Sequence, residues 1–393
     1  MRLRLLLVPA LAACVGCSSA GAPAAEPASA VPQITTAAAT IPTTATLPTI
    51  AILPTATPPT TLPPTTPATT GGATPAVADG TAPPDQLTLA FGGDIHFADQ
   101  LEPLLSKPQT ALAELRPHLG AADVAVVNLE AALTTRGSPA PKAFHFRSPP
   151  TALQALAAAG VDVVTMANNH AVDYGAKGFA DTLAARAKSP VPVVGIGTNA
   201  ADALRPAIVT IRGRRVAVLG ATQVPDWTLA TWPAGDNRPG VAAAANPRRL
   251  VDAVRRARRS ADVVVVYLHW GTDYERCPNS LQRSTARALA AAGADVVVGT
   301  HAHQVQGAGW LRSTYVAYGL GNFVWWRRND ELQSRSGVLT LTVRGRRVVG
   351  ERWTPMRISA DGLPRVPAKP EADRLLASWK RARDCTGLSS RPG

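Results

Sequence analysis

The chain has 393 residues, 46% of them hydrophobic and 17% charged, with a formal net charge of +13. That length allows about two domains and leaves room for a sizeable core. No nucleic-acid-binding motif accompanies the positive charge, which argues against such a partner and leaves anionic substrates or envelope polymers as the partners its field would attract.

The chain opens Met-Arg-Leu-Arg, continues with an apolar stretch from Leu5 to Ala13, and reaches Cys14. A basic start, a short apolar core and small residues describe a secretory signal over residues 1–17. Leu11-Ala12-Ala13-Cys14 is similar to the bacterial lipobox, so Cys14, or failing it Cys17, is the expected lipid anchor. The expected location is extracytoplasmic and lipid-anchored at the cell membrane, with plain secretion as the alternative. Residues 18–86 are almost wholly Ala, Thr, Pro, Ser and Gly, too poor in large apolar groups to offset the entropy of ordering. They read as a flexible stalk. A single α/β domain is expected over 87–385, with 386–393 as a tail. Cys277 and Cys385, the two cysteines outside the signal region, are expected to pair in an oxidising compartment.

Strand and helix signals alternate through the domain. Strands are expected at 87–91, 124–127, 161–166, 191–195, 263–268 and 296–299. Helices are expected at 111–119, 151–159, 175–187, 247–259 and 280–292. Residues 207–211 and 215–219 read as a hairpin around Arg212-Gly213-Arg214. A last set, 315–318, 337–344 and 347–356, reads as antiparallel. Strand–helix units combined with hairpins predict α/β architecture with two packed sheets flanked by helices.

Five of the seven histidines fall in four motifs at the ends of expected strands. These are Gly92-Gly93-Asp94-Ile95-His96, Ala167-Asn168-Asn169-His170, His269-Trp270-Gly271 and Thr300-His301-Ala302-His303. Asn128-Leu129-Glu130 supplies a carboxylate in the same way. Imidazole, carboxylate and carboxamide converging on one sheet edge suit a metal site. Each residue also has a plainer role: Asp94 or Asn169 as a helix cap, His269 as a hydrogen-bonded core residue, Glu130 as an ordinary ion-paired carboxylate. Those roles do not predict a common strand-end address. His118 and His145 read as structural or surface residues, and Trp325 and Trp326 as wall or core.

Taken in order, GGD (92–94), NLE (128–130), FHFRSPP (144–150), ANNHAVDYGAKG (167–178), HWGTDY (269–274), GTHAHQVQ (299–306) and YGLGNF (318–323) resemble the CapA, or poly-γ-glutamate capsule protein, family within the calcineurin-like metallophosphoesterase superfamily. The resemblance implies a metallophosphoesterase-like αββα sandwich holding two divalent ions. Asp94, His96 and His303 would bind one, Asn169, His269 and His301 the other, with Glu130 between them. His170 would act as the catalytic acid, with Asp173 orienting it or the loop around it. Apart from the resemblance, Arg147 reads as a residue to hold an anionic group, Asn322 as lining the pocket or accommodating a tight turn, and Asn168 as a further substrate contact. Many family members carry an apolar residue where this chain has His96; Ala302 replaces a frequent Pro, and Asp273 a frequent Glu. The mixed nitrogen and oxygen donors favour Mn, Fe or Zn. The implied function is a metal-dependent phosphoesterase-type hydrolase linked to capsule or envelope polymer synthesis, with a polymer synthase or export complex as possible partner. The alternative is a non-hydrolytic assembly, anchoring or export factor for an anionic surface polymer.

Overall fold

The run Val263–Trp270 illustrates how the architecture arises. Its β-branched and aromatic residues favour extended chain, and an apolar residue at every position to Leu268 demands cover on both faces. The computed structural model, which describes residues 85–326 and 330–393, meets both demands. Val263, Val265 and Tyr267 enter a core between two sheets, while Val264, Val266, Leu268 and Trp270 enter a second core under helices. The expected signal, Cys14, Cys17 and the stalk through residue 84 lie outside the described residues.

The first sheet runs in the order Pro364–Arg365, Arg347–Ile358, Arg335–Arg344, Gln86–Ile95, Val124–Leu129, Val163–Thr165 and Val193–Val194, with Asn322–Val324 beside the end of Gln86–Ile95. The second runs Ala308–Leu311, Thr314–Ala317, Val296–His301, Val263–Trp270, Arg214–Thr222 and Ala207–Ile211. The helices Thr151–Ala158 and Gly175–Ala187 cover the outer face of the first sheet. Arg248–Arg258 and Ser280–Ala292 cover the second. This is the expected αββα sandwich, two packed sheets flanked by helices.

Four of the five strands carrying the motifs run further than their apolar residues alone predict; Val163–Thr165, which leads to Asn168-Asn169-His170, is instead shorter than the expected 161–166. Gln86–Ile95 includes Asp94, Val124–Leu129 stops one residue short of Glu130, and Val296–His301 ends on a ligand candidate. Register explains this: Asp94 pairs with Asn128 and Asn322, and His269 with Thr300. Polar residues at the strand ends therefore continue the ladder instead of leaving it. Gln86, counted with the stalk from sequence, is the first residue of a strand.

The last strand set needs correction. Arg335–Arg344 and Arg347–Ile358 form the expected antiparallel hairpin in the first sheet. Thr314–Ala317 instead joins the second sheet, parallel to Val296–His301 and antiparallel to Ala308–Leu311. A helix at Lys369–Ala382, not expected from sequence, buries Leu375 and Trp379 one turn apart. Trp379 stacks on Trp353 with ring centroids 5.6 Å apart. Cys385, just beyond this helix, is bonded to Cys277 with the two Cα atoms 5.8 Å apart. Further on, Ser389 exchanges two backbone hydrogen bonds with Trp310 at the sheet edge.

Candidate metal centre

The C-terminal ends of the first sheet's parallel strands supply oxygen. Asp94 reaches the site because Gly93 lets two backbones touch: a Cβ there would lie 1.9 Å from the Gly321 carbonyl oxygen, which accepts the Asp94 N–H at 3.0 Å. The buried Asp94 carboxylate accepts from Asn128 Nδ2 at 2.8 Å and from the His301 N–H at 3.0 Å. Burial, and then the nearby Glu130 charge, push its pKa up to about 6. Glu130 has no exposed surface, and neither of its carboxylate oxygens has a hydrogen-bond partner. Burial raises its pKa as well.

The second sheet supplies nitrogen. His269 Nε2 lies 2.8 Å from Asn169 Oδ1 and 3.3 Å from Glu130 Oε1. Two oxygens and a ring nitrogen so close need a shared proton or cation between them. Burial lowers the pKa of His269 to about 4 and holds His301 well below the usual histidine range. His301 and His303 both adopt positive φ, 91° and 53°, a backbone conformation that costs of order 1–3 kcal/mol per residue and clusters at functional sites. His303 is also held in one tautomer. The Gln333 carbonyl can only accept, so Asn322 turns its amide nitrogen there, at 3.1 Å, and its oxygen toward His303 Nδ1, at 2.7 Å. Nδ1 thus carries the proton, leaving a lone pair on Nε2, the arrangement found for metal-binding histidines.

Two groups of potential ligand atoms result, each with its atoms within 4.8 Å of one another: Glu130, His269 and His301, and Asp94, Glu130 and His303. Glu130 belongs to both. Asn169 lies beside His269 in the first of these groups. His96 stands apart from both groups. Its ring stacks on Phe146 at 4.3 Å, and Nδ1 accepts the Ala98 N–H at 3.1 Å. A neutral ring in that orientation carries its proton on Nε2, which is buried without a partner, so His96 joins an ion only if the ring turns over.

His170 borders the site, with Nε2 3.7 Å from Glu130 Oε1. Its Nδ1 donates to Asp173 Oδ2 at 2.6 Å, as expected of an orienting carboxylate. Sequence reasoning missed Lys142, whose Nζ contacts the Asn169 carbonyl oxygen at 2.5 Å, Asp173 Oδ1 at 3.0 Å and Asp226 Oδ2 at 3.1 Å. It also missed Asn128, which ties Asp94 to Asn168. A lone lysine in a Pro-Lys-Ala loop carries no local signal for such contacts.

The three residues expected to contact substrate do not line the cavity beside the site. Arg147 is exposed, with its guanidinium 4.8 Å from the Tyr174 ring centroid. Asn168 is fully buried and donates to Asn128 Oδ1 and the Leu129 carbonyl. Asn322, also fully buried, orients His303. The cavity, of about 320 Å³, is bordered by Lys142, Asn169, His170, Asp273, His301 and His303, with Trp325 and Trp326 in its wall.

The residues fit a divalent cation. Two orphaned carboxylate oxygens in a fully buried position are costly without a positive charge, and imidazoles held neutral are competent ligands. The buried clusters are thus compatible with a metal site of mixed nitrogen and oxygen donors.

Residues 88–325 match the model of the bacterial capsule synthesis protein family PGA_cap. The chain is 34% identical over 255 residues to the PGA biosynthesis protein CapA of Bacillus subtilis, covering 63% of this chain and 66% of that protein. It is 32% identical over 260 residues to the capsule biosynthesis protein CapA of Bacillus anthracis, covering 63% and 62%. The chain thus spans less than two thirds of either relative. Among solved structures, a hypothetical protein from Thermus thermophilus aligns with 18% identity and a TM-score of 0.45, covering 69% of this chain and 99% of that one. The match over most of the folded domain, with the strand-end motifs inside it, makes this chain a member of the bacterial capsule synthesis protein family PGA_cap.

Proposed function

We propose that the domain is a metal-dependent phosphoesterase-type hydrolase acting on an envelope phosphoester in capsule-type polymer synthesis. On this reading the chain is exported and held at the outer face of the membrane through Cys14 or Cys17. The observation that carries the proposal is Glu130: buried, with neither oxygen hydrogen-bonded, and shared by two ligand groups. Asp94, Glu130 and His303 would hold one ion, and Glu130, Asn169, His269 and His301 a second. Such ions supply Lewis-acid charge neutralisation and lower the pKa of water.

The chain's own residues would handle the leaving group. Asp173 can only accept when ionised, so it fixes the proton on His170 Nδ1 and leaves Nε2 to exchange a proton with the cavity. As the phosphorus–oxygen bond breaks, His170 Nε2 would deliver its proton to the departing alcohol oxygen and return to neutral imidazole. Lys142 keeps Asp173 and the Asn169 backbone in register with it.

The full chain, loaded with Mn or Zn and assayed on phosphomonoesters and phosphodiesters, should show metal-dependent turnover that His170→Ala abolishes. No turnover on any ester, together with tight binding of polyglutamate, would sink the hydrolase and favour a non-hydrolytic polymer factor.

A further inference from the structure

We propose that the cavity beside the metal centre recognises the alcohol half of the substrate and that this half is an uncharged sugar, making the ligand a saccharide phosphoester. The inference rests on the phosphoesterase reading above and specifies what that site accepts. Phe144, Phe146, Trp227, Tyr274, Trp325 and Trp326 wall the cavity, and about 320 Å³ holds a ring or two rather than a polymer chain. Aromatic faces offer flat apolar contact to the C–H faces of a sugar ring.

Charge narrows the class. Among the described lining residues Lys142 is the only lysine or arginine, and its ammonium is already flanked by Asp173 and Asp226. Asp226 and the half-exposed Asp273 face the same space. A γ-linked polyglutamate would bring one carboxylate per residue toward Asp226 and Asp273, and the one lysine among the described lining residues is already paired with two aspartates. Sugar hydroxyls suit these carboxylates, because they donate to Asp226 and Asp273.

Binding can be read without turnover. The full chain, Mn-loaded and metal-free, would be titrated with glucose 1-phosphate, adenosine monophosphate and a γ-linked glutamate oligomer, following tryptophan fluorescence and calorimetric heat. Glucose 1-phosphate should bind at least tenfold more tightly than either competitor. Trp227→Ala and Tyr274→Ala should each raise its Kd about tenfold with unchanged metal content; Tyr274 is 49% exposed, so its loss tests contact without emptying a core. Tighter binding of the nucleotide or of the oligomer overturns the inference, and so does an unchanged Kd in both variants. Sugar binding without hydrolysis would count against the phosphoesterase reading alone.

Discussion

The two sheets bring opposite chemistry to one edge. The first ends in Asp94, Glu130 and Asn169, oxygen donors whose carboxylates are pushed toward protonation by burial. The second ends in His269, His301 and His303, and burial keeps His269 and His301 neutral. Neither half is comfortable alone: one has carboxylates without cations, and the other has imidazoles that have lost the option of charging. A divalent ion satisfies both, because ionised carboxylate and neutral imidazole are the ligand forms it binds. The inter-sheet contact from the His301 N–H to Asp94 then places the two halves in range without supplying the missing charge.

Breaking the oxygen half at its shared member should have the largest effect. Glu130→Gln should lose bound metal and lower turnover by about a thousandfold or more, on the order expected when a charge-stabilising group is removed. In chelator the order of stability should reverse. The variant should melt above wild type, because a buried carboxylate without a partner has been neutralised. Metal analysis and melting with and without EDTA check both signs; unchanged metal content would remove Glu130 from the ligand set.

On the nitrogen half, Asn322→Leu frees His303 to adopt either tautomer. We expect metal affinity to fall about 10–100-fold, the usual range for losing a ligand's orienting partner, measured by competition with a chelator of known strength. Lys142→Met should be milder, with kcat down about tenfold through misplacement of His170 and Asn169 and metal content unchanged. Equal losses of metal in both variants would make Lys142 a support of the ligand shell rather than of the proton-handling pair.

Much of this comparison was legible in the sequence because unbroken apolar runs bounded by turn residues specify buried strands, and the ligand candidates follow them directly. Val263–Trp270 announces both its burial and the address of His269. Three kinds of feature were not legible. Lys142 acts through contacts to residues 27, 31 and 84 positions away, which no local pattern encodes. The swap of Asn168 and Asn322 from substrate contact to scaffold depends on which amide atoms meet backbone carbonyls, a matter of register. Thr314–Ala317 resembles its antiparallel successors in composition, and only the sandwich topology assigns it to the other sheet.

The subtlest prediction concerns the metal-free protein, where the two halves should pull stability in opposite directions with pH. Asp94 has a folded pKa of about 6 against an ordinary 3.8. Its contribution to stability is therefore fully present below 3.8 and lost as pH rises through about 6. His269 is lowered from 6.5 to about 4, so its contribution is present above 6.5 and lost as pH falls through about 4. Between those limits the terms oppose, and the wild-type melting temperature should vary little. Variants separate them. In EDTA, Asp94→Asn should gain on wild type as pH rises from about 4 to about 7, by a few degrees at most, while His269→Gln should gain as pH falls over the same interval. Parallel slopes for the two variants would show that the halves titrate as one coupled unit, and the division of labour between the sheets would then be geometric without being electrostatic.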